Sequence, residues 1–153
     1  MLWYIAIGSA IGGVSRYLVG GLVQRLAAGT FPAGTLLINV TGSFLLGAIL
    51  RYGVETTTLT PEVRALLTVG FCGGYTTFST FSYETVALLE DGEWTRAALY
   101  AALSLGLSLL ATFLGFAAAL VQVVMGRSGV RTVSGADRIG GRAALHAQYL
   151  IEI

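Results

Sequence analysis

The chain has 153 residues, of which 55% are hydrophobic and only 11% charged, with 21 glycines and a net charge of +1. A soluble domain carries about 25% charged residues, and so small a net charge offers no grip on nucleic acid. The composition belongs in a lipid bilayer. Cys72 is the lone cysteine, which rules out an internal disulfide, and the lone histidine, His146, reads as a solvated residue near the C-terminus. The sequence has no metal-ligand cluster, nucleophile–base pair or phosphate loop, so an enzyme is not expected.

The few charges leave long gaps, from Arg25 to Arg51, Arg64 to Glu84 and Arg96 to Arg127. Each approaches or exceeds the roughly 18 residues of a spanning helix. An all-α membrane protein with four transmembrane helices follows, at about 2–24, 32–51, 61–89 and 94–125. Residues 1–126 then form one transmembrane domain, and 127–153 an arginine-containing extramembrane tail with a short helix near 142–151.

Helix one lacks a basic leader and a small-residue cleavage site, and Arg16 lies inside it, so it reads as a retained span rather than a signal peptide. Gly8 and Gly12 form a small-xxx-small pair for close helix approach. Arg16 reads either as a cation snorkelling to the interface or as one at the mouth of an anion path. After a loop at 25–31, Pro32 is placed for the first turn of helix two. Thr35, Asn39 and Ser43 follow at every fourth position and share a face. An asparagine near the bilayer centre needs a partner or a ligand. Helix glue is its commonest use, but stripes on two other helices favour a place in a polar path.

The second loop is expected at 51–60, and Thr60-Pro61-Glu62 opens helix three with a capping hydroxyl, a first-turn proline and an acid. Within that helix lies Gly70-Phe71-Cys72-Gly73-Gly74-Tyr75-Thr76-Thr77-Phe78-Ser79-Thr80-Phe81-Ser82-Tyr83-Glu84. Paired glycines followed by paired threonines are poor helix material, and a break in mid-membrane is expected. Lipid cannot satisfy the backbone groups such a break frees, so it marks a site. The half-helix ending near Gly73 would offer carbonyls fit for a hard cation such as Na⁺, and the half starting near Thr77 would offer N–H groups. Phe78 and Phe81, at i and i+3, share a face whose positive ring edges solvate anions weakly. A turn at 90–93 leads to helix four, where Tyr100, Ser104, Ser108 and Thr112 form one hydroxyl stripe. Ala102 with Gly106, and Ala111 with Gly115 and Ala119, are its small packing faces.

Neutral donors suit a small anion that must be bound and released, since a fixed cation would hold it too tightly for conduction. Four helices enclose a pore poorly, so a homo-oligomer is expected, with a partner of opposite orientation supplying the inverted symmetry. The arginines at the helix ends, Arg51, Arg64 and Arg127 against Arg25 and Arg96, do not decide the orientation, and those of the tail would tip the count towards both termini inside. Two other readings stay open. One is a proton-coupled exporter of the four-helix small multidrug type, with Glu84 as coupling carboxylate. The other is a non-conducting membrane assembly subunit whose stripes are helix glue.

Gly12-Gly13 with Arg16-Tyr17, Pro32-x-Gly34-Thr35 with Asn39-x-x-Gly42-Ser43, and above all the Gly73-to-Glu84 run resemble the Fluc (CrcB-like) fluoride channels over about residues 1–126. The resemblance implies an antiparallel, dual-topology homodimer in a prokaryotic inner membrane, exporting fluoride passively through two pores. It implies a structural Na⁺ at the dimer centre on the backbone carbonyls of Gly73 and Thr76. It also implies a fluoride pathway of Asn39, Phe78, Phe81, Tyr100, Ser104 and Ser108. Arg16 and Glu84 match characteristic charged positions, with Thr35, Thr77 and Thr112 as further polar neighbours.

Overall fold

The structure, a computed structural model, describes residues 1–56 and 58–128, and every regular element among them is helical. The apolar run after Met1 forms α1 (Leu2–Ala27), and the Thr35/Asn39/Ser43 segment forms α2 (Ala33–Glu55). The third path comes in two parts. The first, α3, starts as an α-turn at Pro61–Ala65, widens into a π-helical stretch at Leu66–Cys72 and closes at Gly73–Tyr75. The second, α4, runs Phe78–Glu90, and the long α5 covers Trp94–Ser128. Leu2–Ala27, Ala33–Glu55 and Trp94–Met125 are each long and apolar enough to cross a membrane.

Several boundaries move from their expected places. Helix α1 continues past Gln24 to Ala27, and Ala28 turns the chain in the left-handed region at φ 47°. Gln24 organises that turn: its Nε2 donates to the carbonyls of Gly29 (2.9 Å) and Phe31 (3.1 Å), and its Oε1 accepts from Gly34 N–H (3.2 Å). Pro32 stands just ahead of α2 rather than in its first turn, where its carbonyl receives the Leu36 N–H. Arg51, expected where helix two gives way to the loop, lies inside the helix and pairs with Glu55 at 2.8 Å, one turn on, as α2 continues through to Glu55. Thr60 caps α3 as its sequence requires, accepting from Val63 N–H. Arg127, assigned to the tail, belongs to the last turn of α5. The remainder of the expected tail, with its short helix and His146, lies outside the described residues.

Glycine sets how closely the helices approach. A β-carbon on Gly12 would overlap the Phe71 carbonyl oxygen and stand 2.9 Å from Tyr75 N, and one on Gly8 would overlap the Leu66 carbonyl. Gly74 faces the Ser9 backbone in the same way, so α1 and α3 lie backbone against backbone. Along the most extensive seam, α2 against α5, Gly47 abuts the Thr112 carbonyl and Gly115 the Phe44 carbonyl. Of the two small faces expected on α5, Ala111, Gly115 and Ala119 are used here, while Ala102 and Gly106 are exposed. A cluster of Leu88, Ala97 and Tyr100, with Phe31, Leu36, Phe81 and Leu89 around it, joins α4 to α5.

Candidate functional site

Between Tyr75 and Phe78 two residues leave helical geometry: Thr76 sits at φ −84°, ψ 159° and Thr77 at φ −152°, ψ 113°. The glycine pair itself is helical, so the interruption falls two residues later than the expected end near Gly73. Its causes are side chains that outbid the helix for backbone groups. Thr77 caps α4, its Oγ1 accepting from Thr80 N–H at 3.2 Å. Asn39, reaching across from α2, accepts Thr77 N–H on Oδ1 (2.8 Å) and donates Nδ2–H to the Thr77 carbonyl (3.1 Å). In an unbroken α-helix Thr77 N–H would bond the Gly73 carbonyl, and Thr80 N–H the Thr76 carbonyl. Both donors are diverted, and α4 begins only at Phe78, so the carbonyls of residues 73–76 lose the partners of an unbroken helix, those of Gly73 and Thr76 among them. The Cys72 carbonyl, by contrast, is filled by Thr76 N–H (3.0 Å) and Thr76 Oγ1–H (2.9 Å). Among the described residues no three His, Cys, Asp or Glu side chains gather as a metal site, so a cation held here would depend on backbone oxygens.

Beside the interruption an open groove of about 340 Å³ runs between α2, α4 and α5. Its polar lining is Asn39, Ser43, Thr76, Thr77, Ser104, Ser108 and Thr112, its aromatic lining Phe78 and Phe81, and among the described residues no charged one lines it. Three helices thus bring most of the expected site residues to one channel-like surface. Within it their states differ. Among the described residues Ser104 Oγ is buried and has no hydrogen-bond partner, which is costly unless something fills the place. Asn39 spends one amide hydrogen on Thr77 and has a second in hand. Thr112 spends its hydrogen on main-chain carbonyls, Ser108 at 3.0 Å and Ser43 at 3.4 Å. The Phe78 ring is 79% exposed and lies 5.6 Å from that of Phe81, which in turn lies 5.2 Å from Tyr100.

The expected hydroxyl stripe divides at Tyr100. That residue is fully buried and does not line the groove; its hydroxyl donates to Glu84 Oε2 at 2.7 Å, while Thr35 Oγ1–H donates to Glu84 Oε1 at 2.8 Å. The Glu84 carboxylate is therefore held on both oxygens, by α2 and by α5. Thr35 and Glu84, with Arg16, Gln24, Thr77 and Thr80, line a second concavity of about 380 Å³ towards α1. Arg16 is half-buried there and forms no ion pair among the described residues. Thr77 lines both hollows.

Sequence reasoning passed over Gln24, Thr41 and Thr80. The spacing of Thr77 and Thr80, a capping hydroxyl three residues before the N–H it serves, is the signal that would have found the last. Gln24 acts across the irregular turn that follows it and Thr41 on Tyr75, distant in the chain, and no spacing marks either.

The sequence matches the family described as CrcB-like protein, Camphor Resistance (CrcB), over residues 3–116. It is 51% identical over 115 residues to a fluoride-specific ion channel FluC of Geobacter sulfurreducens, covering 75% of this chain and 93% of that one. A protein of the same name from Geobacter metallireducens is 49% identical over 111 residues, covering 72% and 90%. One from Shewanella sp. strain ANA-3 is 46% identical over 114 residues, covering 74% and 91%. With three quarters of its length aligned, and with the α3–α4 interruption and the polar groove inside the aligned part, this chain belongs to the CrcB-like family.

Proposed function

We propose that this chain is a fluoride-selective channel of a bacterial cell membrane, working as an antiparallel, dual-topology homodimer that exports fluoride passively and lowers its toxicity inside the cell. The observation that carries the reading is the groove: neutral donors and phenylalanine edges from three helices converge on it, and among the described residues no charge lines it. Relatives about half identical bear the name of fluoride-specific channels. A small, strongly hydrated anion gives up water only where donors replace it, and uncharged donors replace it without trapping it. Ser104, with its unpartnered hydroxyl, and the second amide hydrogen of Asn39 are such donors. Ser108 continues the track along α5, and Phe78 and Phe81 offer positive ring edges where the interruption opens. Tyr100 acts from behind, fixing Glu84 and supporting the Phe81 ring. Thr35 shares the hold on Glu84, and Arg16 provides positive potential at the α1 side.

The interruption lies at mid-membrane in this reading, and Na⁺ is its resident ion. The carbonyls of Gly73 and Thr76 fit that ion, since both have lost their helical donors and hard cations take carbonyl oxygen. Bound there, Na⁺ neutralises the partial negative charge at the C-terminal end of α3 and needs no side-chain ligand. The second copy completes the ion's coordination and faces the exposed Ala102–Gly106 surface of α5; lipid covers outward residues such as Trp3 and Phe113. The test is fluoride efflux from liposomes carrying the purified protein, followed with a fluoride electrode and run beside chloride. Rapid fluoride release without a proton gradient, and little chloride release, is expected; vesicles that retain fluoride overturn the proposal.

A further inference from the structure

We infer that Tyr75 is a positioning residue for the sodium site, tying the end of α3 to α2 through a single hydrogen bond; the inference rests on the sodium reading above. Tyr75 is the last residue of α3 and stands between Gly73 and Thr76, whose carbonyls are among those freed. Its side chain is 7% exposed. The ring lies almost parallel to that of Phe71, one turn earlier, with centroids 5.6 Å apart and planes 9° from parallel. Its phenol oxygen is 3.1 Å from Thr41 Oγ1 on α2.

The direction of that bond follows from counting hydrogens. The Thr41 hydroxyl has one, and its near partner is the Leu37 carbonyl at 2.8 Å, which can only accept. Tyr75 therefore donates and Thr41 accepts. One residue further along α2, a β-carbon on Gly42 would overlap Thr76 Cγ2 and stand 3.1 Å from Tyr75 Cδ1, so α2 presses directly on this corner. Helix α2 thus grips the interruption twice: Thr41 holds Tyr75 before it, and Asn39 holds Thr77 after it. The peptide planes that carry the Gly73 and Thr76 carbonyls are set by the backbone on either side of Tyr75, and a pinned side chain limits their swing. Tyr75 does not line the groove, so removing its hydroxyl alters no contact on the proposed anion path.

Tyr75→Phe keeps the ring stack and deletes only the donor; Thr41→Val deletes the acceptor from the other side. The measurement is the melting temperature of the detergent-solubilised protein as Na⁺ replaces a bulky organic cation at constant ionic strength, since an ion that binds the folded state raises its stability with concentration. Each single variant is expected to need about two- to tenfold more Na⁺ for the half-maximal rise, the range that one net hydrogen bond supports. The double variant should match either single one, because both remove the same bond. A sodium response equal to wild type in both single variants, or additive shifts in the double, overturns the role of Tyr75 and leaves the sodium reading standing. A wild-type protein whose melting ignores Na⁺ overturns the sodium reading, and this inference with it.

Discussion

The two halves of the third path, α3 and α4, are held by opposite means. Helix α3 is fastened by its backbone: Gly8, Gly12 and Gly74 let α1 lie directly on it, and its last turns at Cys72 and Tyr75 are buried. Helix α4 is fastened by side chains, through Thr77 to Asn39, Glu84 to Thr35 and Tyr100, and Phe81 to Tyr100. Its outer rings, Phe78 and Tyr83, are 79% and 75% exposed. Backbone-on-backbone packing has little freedom to adjust. Side-chain hydrogen bonds leave polar atoms and ring edges facing a groove. The lesson is a division of labour: α3 is the fixed wall from which the proposed ion site hangs, and α4 presents polar atoms and ring edges to the groove.

The sharpest way to break that contrast is at the wall. Gly12→Leu drives a β-carbon into the Phe71 carbonyl, with backbone on both sides and nothing flexible to yield. A cost at or beyond the upper end of about 1–3 kcal/mol is expected, read as loss of a single size-exclusion peak after detergent extraction; an unchanged single peak would show that the α1–α3 seam is slack. On the α4 side, Phe81→Ile removes a ring that faces both Phe78 and Tyr100 while leaving the glycine seam untouched. The folded protein should survive and fluoride efflux fall by about a hundredfold, close to 2.7 kcal/mol of barrier; unchanged efflux would take the rings out of the path.

Asn39→Asp tests the link between the halves. The carboxylate still accepts Thr77 N–H but cannot donate to the Thr77 carbonyl, and it brings negative charge to an anion groove. Efflux slower by about tenfold is expected, and a wild-type rate would remove Asn39 from the pathway. Glu84→Gln is milder: an amide keeps one acceptor for Tyr100 or Thr35, and passive flux needs no proton carrier. Efflux within about threefold of wild type, with no imposed proton gradient, is expected, because the lost charge assistance amounts to about 1 kcal/mol or less at one bond. Abolished flux would favour the proton-coupled exporter. The smallest effect belongs to Thr112→Val, because that hydroxyl already spends its hydrogen on the Ser108 and Ser43 carbonyls. A change of no more than about twofold in efflux is expected, and a large one would extend the track to the far end of α5.

Much of this was legible in the residues. Charge-free gaps located the helices, because few charges are tolerated in hydrocarbon. Period-four spacing placed Asn39 and Ser43 on the same side of α2, and Ser104, Ser108 and Thr112 on the same side of α5, since helical geometry is local. Other features were hidden. Tyr100 lies in register with Ser104, yet its long side chain carries the hydroxyl to Glu84, away from the groove. The glycine pair suggested a break at its own position, but Gly74 serves the approach of α1 and the chain departs from the helix at Thr76 and Thr77. The π-helical stretch at Leu66–Cys72 left no mark that composition reveals.

By itself, then, the sequence determined a helical, membrane-embedded chain with polar stripes and a helix-poor GGYTT segment, because hydrophobicity, helical period and local backbone preference act between near neighbours. Tertiary structure decided which stripes meet, which hydroxyls are already spent, and which carbonyls lose their donors. Those outcomes depend on Asn39 reaching Thr77 and on Tyr100 and Thr35 reaching Glu84. Such bonds compete with the helix's own only once the other helices have packed alongside, and no reading along the chain can order that competition.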